Sequence, residues 1–341
     1  MMILKIRKIS ENFQIVIRIS IFVLILFFTS CDSPADSPYS QINFIAKKSL
    51  PGNGRSTAVA FSIGNYGYVA LGRDSLRNPL NDCWEYDPSS DKWLKKASFP
   101  GIGRVNALAV VLNDKAYVGL GFNPNFAVYS DKSAYLKDFW MYEPQSDKWT
   151  QKADFPSDDC NACISFSFGN EIYVGLGFNG WGFGTELWKY NPDTDKWIEL
   201  ASFPGAPRAG SVVCANKEHV YAGTGYNTYN LNDWWEYFPS SNSWKSLKSM
   251  PDNGRVNGIS LCVANRFFVF TGRQFGGNLT GGHVISDIIE YDNIRNVWYK
   301  RGNIPNSGRE NAIAFEINGT AYLGFGENDK QVLNDFWSFA P

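Results

Sequence analysis

Short runs of alternating apolar and polar residues recur along the chain, and glycine, proline, asparagine or aspartate bounds each run. The apolar members are largely β-branched or aromatic, which is typical of half-buried strands. One period of the pattern contains four such runs, at residues 104–112, 115–121, 136–143 and 148–153. The pattern therefore predicts a series of four-stranded units.

A fixed order of residue types repeats in register with these runs. An acidic residue is followed by Tyr after 4 positions, Trp after 7 more, Pro after 7 more, Arg after 4 more and an aromatic residue after 13 more. The order starts at Asp82, Asp138, Glu186, Asp233 and Asp287, and only the second copy replaces the Arg, with Cys160. A period of about 50 residues indicates an array of one supersecondary unit, and four-stranded antiparallel units repeated radially form a β-propeller.

The two ends of the chain complement each other. The last repeat stops after Asp335, Trp337 and Phe339, without a fourth strand. Residues 42–49 match that missing strand, with Phe44 in the position that Trp holds elsewhere. We therefore predict an all-β fold with six blades, in which the N-terminal strand closes the last blade and removes an exposed sheet edge.

The N-terminal segment differs in composition from the rest of the chain. Basic residues precede an apolar run at 21–28, which is too short to span a bilayer but suits a secretory signal. The run ends at Cys31 in a sequence that resembles a bacterial lipobox. We predict a signal segment at 1–31 with lipidation at Cys31, a flexible tether at 32–40 and the propeller at 41–341. The alternative is an uncleaved N-terminal anchor.

Charge and cysteine content narrow the function classes. Lys+Arg 32 against Asp+Glu 33 leaves no basic excess for a nucleic-acid partner. Five cysteines follow Cys31, and an odd number in an exported protein leaves at least one free thiol. Cys160 and Cys163 are expected on one strand, pointing to opposite faces, so neither a disulfide nor a zinc site is expected there. Cys83, Cys214 and Cys262 are expected in the core.

One interval of the repeat varies in length. The distance from the second-strand aromatic to the acidic residue is 14, 21, 13, 12, 19 and 13 residues, while the other spacings are constant. Insertions confined to one loop of a repeat usually lie on the working face. The arginines at the start of each first strand lie on the same face, around the mouth of the axial channel: Arg55, Arg104, Arg208, Arg255 and Arg309.

Two interpretations of these arginines remain open. They are structural if each forms a bidentate pair with the acidic residue of the repeat. They bind a ligand if they form a polar arc with the side chains two positions later, where Asn106, Asn257, Asn311 and Thr57 contrast with Ala162 and Gly210. Trp181 is the one loop tryptophan that the repeat does not explain. The candidate ligand-binding residues are Arg55, Arg104, Asn106, Arg255, Asn257, Arg309, Asn311 and Trp181.

Several motifs resemble the kelch repeat, in which glycines end the second strand and a Tyr and a Trp follow. They are Gly119-Leu120-Gly121, Leu136-Lys137-Asp138, Tyr142 and Trp149, and the resemblance covers residues 42–341. The glycines here are Gly-x-Gly or single, rather than an adjacent pair. Kelch propellers include protein-interaction modules, a copper-dependent galactose oxidase and an exported bacterial sialic-acid mutarotase. The resemblance therefore implies a kelch-type propeller with one of these functions.

The residues available for catalysis are few. The two histidines, His219 and His283, are expected on opposite faces, which disfavours a copper site like that of galactose oxidase. No Ser-His-Asp order, phosphate-binding loop or HExxH motif is present. Neither a metal nor another cofactor is predicted. If the protein is a mutarotase or epimerase, the acid and base candidates near the mouth are Glu310, Glu327 and His283, with Asp329 beside them.

These observations predict an exported, lipid-anchored propeller that binds a small polar or anionic ligand, preferably a carbohydrate, at the channel mouth. The alternatives are a sugar mutarotase or epimerase of the sialic-acid type, and a protein-interaction platform with another envelope protein as its partner. The expected location is the bacterial cell envelope, either periplasmic or surface-exposed, with the membrane contacted only through the lipid.

Overall fold

The computed structural model describes residues 35, 36, 38, 41–52, 54–126, 134–157, 160–275 and 282–341. The predicted signal segment and the lipidation at Cys31 lie outside these residues. Within the described residues, no helix has the length and apolar character needed to cross a membrane.

The described chain is built from short strands, numbered here along the sequence. They are β1 (Ala35–Asp36), β2 (Ile45–Lys47), β3 (Val59–Ile63), β4 (Tyr66–Ala70), β5 (Cys83–Asp87), β6 (Lys92–Lys96), β7 (Leu108–Leu112), β8 (Lys115–Gly119), β9 (Phe139–Glu143), β10 (Lys148–Lys152), β11 (Ile164–Phe168), β12 (Glu171–Gly175), β13 (Leu187–Asn191), β14 (Lys196–Glu199), β15 (Val212–Ala215), β16 (Val220–Gly223), β17 (Trp234–Phe238), β18 (Ser243–Ser246), β19 (Ile259–Val263), β20 (Arg266–Phe270), β21 (Arg273–Gln274), β22 (His283–Val284), β23 (Asp287–Asp292), β24 (Val297–Asn303), β25 (Ile313–Ile317), β26 (Thr320–Gly324) and β27 (Phe336–Phe339).

Six antiparallel sheets form the blades of a β-propeller, as the repeat predicted. Blades 1 to 4 are the consecutive groups β3–β6, β7–β10, β11–β14 and β15–β18. Blade 5 contains β19, β20, β23 and β24, with the hairpin β21–β22 inserted in the variable loop, and blade 6 contains β25, β26, β27 and β2. The first strand of each blade carries small residues such as Ala60, Ala109 and Ala314, which line the axial channel.

The N-terminal strand closes the ring. β2 pairs antiparallel with β27, with Ile45 opposite Ser338 and Lys47 opposite Phe336. Phe44 packs edge-on against Phe339 at 5.3 Å between ring centroids. The predicted closure is therefore confirmed, and blade 6 gains the fourth strand that the C-terminal sequence lacks.

The segment predicted as a flexible tether contains one ordered contact. β1 pairs in parallel with β24, with Ala35 opposite Tyr299 and Asp36 opposite Lys300, and adds a fifth strand to blade 5. Composition alone did not indicate this pairing, because a strand of two residues has no periodicity to detect. Backbone hydrogen bonds to an available sheet edge provide the contact.

Tryptophans in the outer strands join neighbouring blades. The indole nitrogen of Trp149 donates to the carbonyl of Ala97 in the preceding blade at 2.9 Å, and Trp197 donates to Ala153 at 3.0 Å. Trp93 makes the same bond to Lys48 at 2.8 Å. The repeated Trp is therefore a packing residue between blades, which leaves the function to the loops and the axis.

Candidate functional site

Six backbone hydrogen bonds close a ring around the channel axis. Each bond runs from one blade to the next, for example from Thr57 N–H to Asn311 O at 3.1 Å and from Asn311 N–H to Asn257 O at 2.9 Å. The axial ring consists of Thr57, Asn106, Ala162, Gly210, Asn257 and Asn311. All six have φ between 51° and 62°. Asparagine and glycine tolerate this left-handed conformation best. The backbone conformation is therefore sufficient to explain why asparagine stands at three of these positions, whether or not its amide binds a ligand.

The ring surrounds a cavity of about 130 Å³ at the mouth of the channel. Asn106, Asn257, Asn311 and Thr57 line one side of it, and Ala162 and Gly210 line the other. The predicted asymmetry is therefore present in the channel wall. Ligand binding by the three asparagines remains a prediction.

The predicted arginines are buried in the framework. Arg104 is fully buried, donates to both carboxylate oxygens of Asp138 at 2.6 and 2.8 Å, and donates to Leu120 O at 3.1 Å. We call this arrangement the clamp, and it recurs as Arg55–Asp82, Arg208–Asp233, Arg255–Asp287 and Arg309–Asp335. None of these arginines lines the channel cavities. Arg55, Arg104, Arg255 and Arg309 therefore make the bidentate pairs of the structural interpretation, and ligand binding by them stays a prediction.

Burial and ion pairing act in opposite directions on the clamp carboxylates. Burial alone would raise the pKa of Asp335, but the hydrogen bonds and positive charge of Arg309 outweigh it and hold that pKa below its ordinary value. The same balance lowers the pKa of Asp82 beside Arg55. These two carboxylates are thus held in their ionised form.

Blade 3 departs from this arrangement, and the expectation for its cysteines was wrong. Cys160 and Cys163 form a disulfide with a Cα–Cα distance of 6.1 Å. The expectation assumed a strand through both residues, but β11 begins at Ile164 and Ala162 is left-handed with φ 54°. The turn at Ala162 breaks the alternation of side chains and brings the two sulfurs to the same side.

A second set of residues at the mouth was not found from the sequence. Each residue that follows the second-strand glycine forms an isolated bridge with the residue before the axial ring. In chain order these residues are Arg73, Phe122, Phe178, Tyr226, Arg273 and Glu327. Blades 5, 6 and 1 therefore place charges here, whereas blades 2, 3 and 4 place aromatic rings.

The charged half consists of two ion-pair groups across three blades, joined by the backbone bridge between Glu310 and Glu327. Arg73 Nη2 donates to both carboxylate oxygens of Glu327, at 2.7 and 2.9 Å, although the two residues are 254 positions apart. Arg273 donates to Glu310 at 2.6 Å and to Asp329 at 2.6 Å. Burial would lower the pKa of Arg273, but the hydrogen bonds that Arg273 donates to Asp329 and Glu310 outweigh it and raise that pKa above its ordinary value. We call these five residues the charged arc.

The axial ring holds the charged arc in place. The side-chain amide of Asn257 donates to Glu310 at 2.9 Å, and that of Asn311 donates to Glu327 at 3.1 Å. Two of the predicted asparagines thus position the two predicted glutamates. Two guanidinium groups against three carboxylates leave one net negative charge in the charged arc.

The opposite half of the mouth is a chain of aromatic rings. Neighbouring ring centroids are 4.9 to 6.2 Å apart. We call this set the aromatic arc, and it consists of Phe122, Tyr135, Phe178, Phe183, Tyr226 and Phe275. Most of these rings are only partly buried. The aromatic arc thus presents apolar ring faces opposite the charged arc, and Tyr135 and Tyr226 add polar hydroxyl groups.

The remaining predicted residues lie apart from this arrangement. Trp181 is 71 % exposed at the tip of the blade 3 loop, where Asn179 Oδ1 accepts a hydrogen bond from its backbone N–H. His283 is exposed on β22 and belongs to the variable loop of blade 5. His219 lies in the turn between β15 and β16, with its Nδ1 2.9 Å from Glu236. The described residues contain no cluster of three or more metal-ligating side chains.

Comparison with known proteins supports the fold alone. No protein-family model matches the sequence, and no curated protein matches it. Among solved structures, the chain is similar to one titled "Structure of YjhT", with a TM-score of 0.73 and 17% sequence identity. The match covers 85% of this chain and 95% of that chain. It is consistent with a six-bladed kelch-type propeller, and at this identity it carries no functional assignment.

Arg73 and Arg273 could have been found from the sequence by their position within the repeat. Both follow the glycine that ends the second strand, and the equivalent residues of three other blades are aromatic. A comparison of the six blades at this one position identifies the charged half.

Proposed function

We propose that this protein is an exported, lipid-anchored propeller that binds a small hydroxyl-rich ligand, a carbohydrate, at the mouth of its channel. The observation that carries the proposal is the division of the mouth into a charged arc and an aromatic arc. A sugar ring has the complementary features, because its hydroxyl groups pair with carboxylates and amides and its C–H face stacks on aromatic rings.

The charge balance favours a neutral ligand over an anionic one. The clamp arginines are buried and paired, and Arg73 and Arg273 are each paired with carboxylates. The net charge of the charged arc is negative, so an anion would have to displace a carboxylate from a guanidinium group. A neutral sugar needs only hydrogen bonds, and we assign these to Asn106 in the cavity wall and to Glu310 and Glu327 beside the axial ring.

Export is supported by two independent features. The basic residues, the apolar run at 21–28 and Cys31 form a signal pattern. Disulfides such as Cys160–Cys163 form and persist in oxidising compartments outside the cytoplasm. A lipid on Cys31 would retain the propeller at the cell envelope.

The test is a binding screen by calorimetry on residues 32–341 against neutral sugars, amino sugars and sugar acids. The variant Glu327→Gln removes a charge-assisted acceptor and should weaken binding of a sugar about tenfold. Phe178→Leu should weaken it by a similar factor through lost stacking. Glu143→Gln, which changes an outer-strand carboxylate paired with Lys115, is the matched control. Preferential binding of sugar acids would contradict the charge argument.

A mutarotase or epimerase is the second candidate, and the placement of Glu310 and Glu327 favours it. Both carboxylates are anchored at the mouth by arginines and asparagines, as acid and base groups near a sugar ring must be. NMR exchange spectroscopy on any sugar that binds decides between the two. Accelerated anomer exchange that is lost in Glu310→Gln would establish the enzyme, and exchange at the spontaneous rate would establish a binding protein.

A protein-interaction platform is the third candidate. Trp181 is 71 % exposed and Tyr229 is 58 % exposed, both in loops on the mouth face. Exposed aromatic residues are enriched at protein interfaces. Failure of every sugar in the screen, together with capture of one envelope protein that Trp181→Ala abolishes, would favour this function over the other two.

A further inference from the structure

The disulfide of blade 3 occupies the position of a clamp. In the other five blades an arginine Nη1 donates to the backbone carbonyl 16 residues later, and Leu120 O accepts from Arg104 at 3.1 Å in this way. In blade 3 the sulfur of Cys160 lies 3.1 Å from Leu176 O, the equivalent carbonyl. Glu186, which stands at the acidic position, accepts hydrogen bonds from Ser157 and Trp188 instead of from an arginine. A covalent bond therefore replaces an ion pair in one blade of six.

The same disulfide encloses one member of the axial ring. Ala162 lies between the two cysteines, donates to Asn106 O at 3.2 Å and accepts from Gly210 N–H at 3.1 Å. Asn161, also inside the loop, exchanges two backbone hydrogen bonds with Phe178 of the aromatic arc at 2.9 and 3.0 Å. The disulfide thus holds both the axial ring and the aromatic arc at blade 3.

The disulfide is accessible from the channel. Cys163 is only partly buried and lines both the cavity of about 130 Å³ at the axial ring and the adjoining cavity of about 200 Å³. The other blades place Ala, Ser or Gly at this position. Packing on the far side is tight, since a Cβ on Gly177 would lie 2.7 Å from the sulfur of Cys160 and 2.8 Å from that of Cys163. Attack on the sulfur of Cys163 from the channel is the open route.

We propose that Cys160–Cys163 is a redox modification site that reacts with a low-molecular-weight dithiol through the channel, and that its reduction loosens the axial ring and the aromatic arc at blade 3. In the first step a thiolate of the dithiol attacks Cys163 Sγ, the Cys160–Cys163 bond breaks, and Cys160 leaves as a thiolate that takes a proton from water. The second thiol of the reagent then resolves the mixed disulfide and releases Cys163. Two electrons pass from the dithiol, which becomes a cyclic disulfide.

The size of the effect follows from loop closure. A disulfide that closes a loop of four residues lowers the conformational entropy of the locally unfolded state. Its reduction should therefore raise the equilibrium constant for local opening of this segment about 20-fold. Reduction should therefore accelerate hydrogen exchange of the Ala162, Phe178 and Gly210 amides by about 20-fold. The blade 2 amides equivalent to Ala162 and Phe178, at Asn106 and Phe122, lie in the blade held by the Arg104 clamp and should not change.

The test is hydrogen exchange with mass spectrometry on residues 32–341, before and after addition of dithiothreitol, with iodoacetamide trapping to map which cysteines react. The matched variant Cys160→Arg/Cys163→Ala/Glu186→Asp installs in blade 3 the residues that blade 2 carries, and its exchange should not respond to the dithiol. Cys160→Ala/Cys163→Ala lacks both disulfide and clamp and should reproduce the fast exchange of the reduced protein without reagent, which keeps the test decisive if the first variant does not fold.

Two results would overturn the proposal. One is slow exchange at Ala162 and Gly210 after trapping shows complete reduction of both cysteines. The other is a disulfide that reacts only once denaturant has unfolded the propeller. Hydrogen exchange and cysteine trapping are both measured without a ligand. The outcome of the sugar screen therefore does not affect the test of this proposal.

Discussion

Removal of one clamp arginine separates the structural interpretation from the ligand-binding one. In Arg309→Gln the two bonds to Asp335, at 2.6 and 2.8 Å, and the bond to Phe325 O at 3.0 Å are lost or weakened. Arg309 is fully buried, whereas the Asp335 side chain is 19% exposed and keeps hydrogen bonds from Trp337 and Asn306. Water and these two donors therefore reduce the penalty of stranding the carboxylate.

The expected loss is about 3 kcal/mol in the free energy of unfolding, at the lower end of the range for breaking a buried ion pair. For a domain of about 300 residues this corresponds to a fall of about 5 °C in the melting temperature. The assay is thermal unfolding followed by near-ultraviolet circular dichroism. Arg77→Gln, which changes an exposed arginine on the same face, is the control and should leave the melting temperature unchanged.

A double-mutant cycle with Asp335→Asn isolates the pair. We expect a coupling energy of at least about 1.5 kcal/mol, because the charge-assisted bonds are made only when both partners are present. An unchanged melting temperature in Arg309→Gln, together with a tenfold loss of sugar affinity, would refute the reasoning and return the arginine to the ligand site.

Four further predictions address other parts of the molecule. Because the pKa values of Asp82 and Asp335 are lowered on folding, the stability they contribute is present above the ordinary carboxyl pKa of 3.8 and is lost as the pH falls below it; Arg309→Gln should flatten that part of the melting-temperature profile. Deletion of residues 41–50 exposes the edge of β27 and should lower stability by at least about 3 kcal/mol, measured by urea unfolding, whereas an unchanged midpoint would place the closure elsewhere. Trp181→Ala should leave the melting temperature unchanged, since the side chain is 71 % exposed, and a loss of sugar affinity by calorimetry would extend the ligand site to the tip of the blade 3 loop. Cys31→Ser should abolish metabolic labelling with a fatty acid, and persistent labelling would contradict lipidation at that residue.

The sequence was sufficient for the fold because its constraints are local and repeated. Tyr86, Trp93 and Pro100 keep the same spacing in every copy, so each blade confirms the interpretation of the others. The closure by residues 42–49 followed from the same spacing, and β2 is found on β27. The clamp also followed as one of two alternatives, since the Arg and the Asp occur once in each of five blades.

The site was only partly predictable. Asn257, Asn311, Glu310 and Glu327 were predicted at the mouth, and the structure pairs Asn257 with Glu310 and Asn311 with Glu327 by side-chain hydrogen bonds. The pairing of Arg73 with Glu327 was not predictable, because the two residues are 254 positions apart and the repeat does not encode contacts between the first and last blades.

What the amino-acid sequence determined by itself is the periodic part of the molecule: the strand pattern, six blades, the closing strand and the residue types at the channel mouth. Periodicity carries this information because equivalent residues must meet equivalent surroundings. What only the tertiary structure decided is the aperiodic part: the pairing of Arg73 with Glu327 between the first and last blades, and the disulfide across the left-handed turn at Ala162. The first depends on loops of two blades that are distant in sequence and the second on a backbone turn, and neither is visible in the spacing of residues along the chain.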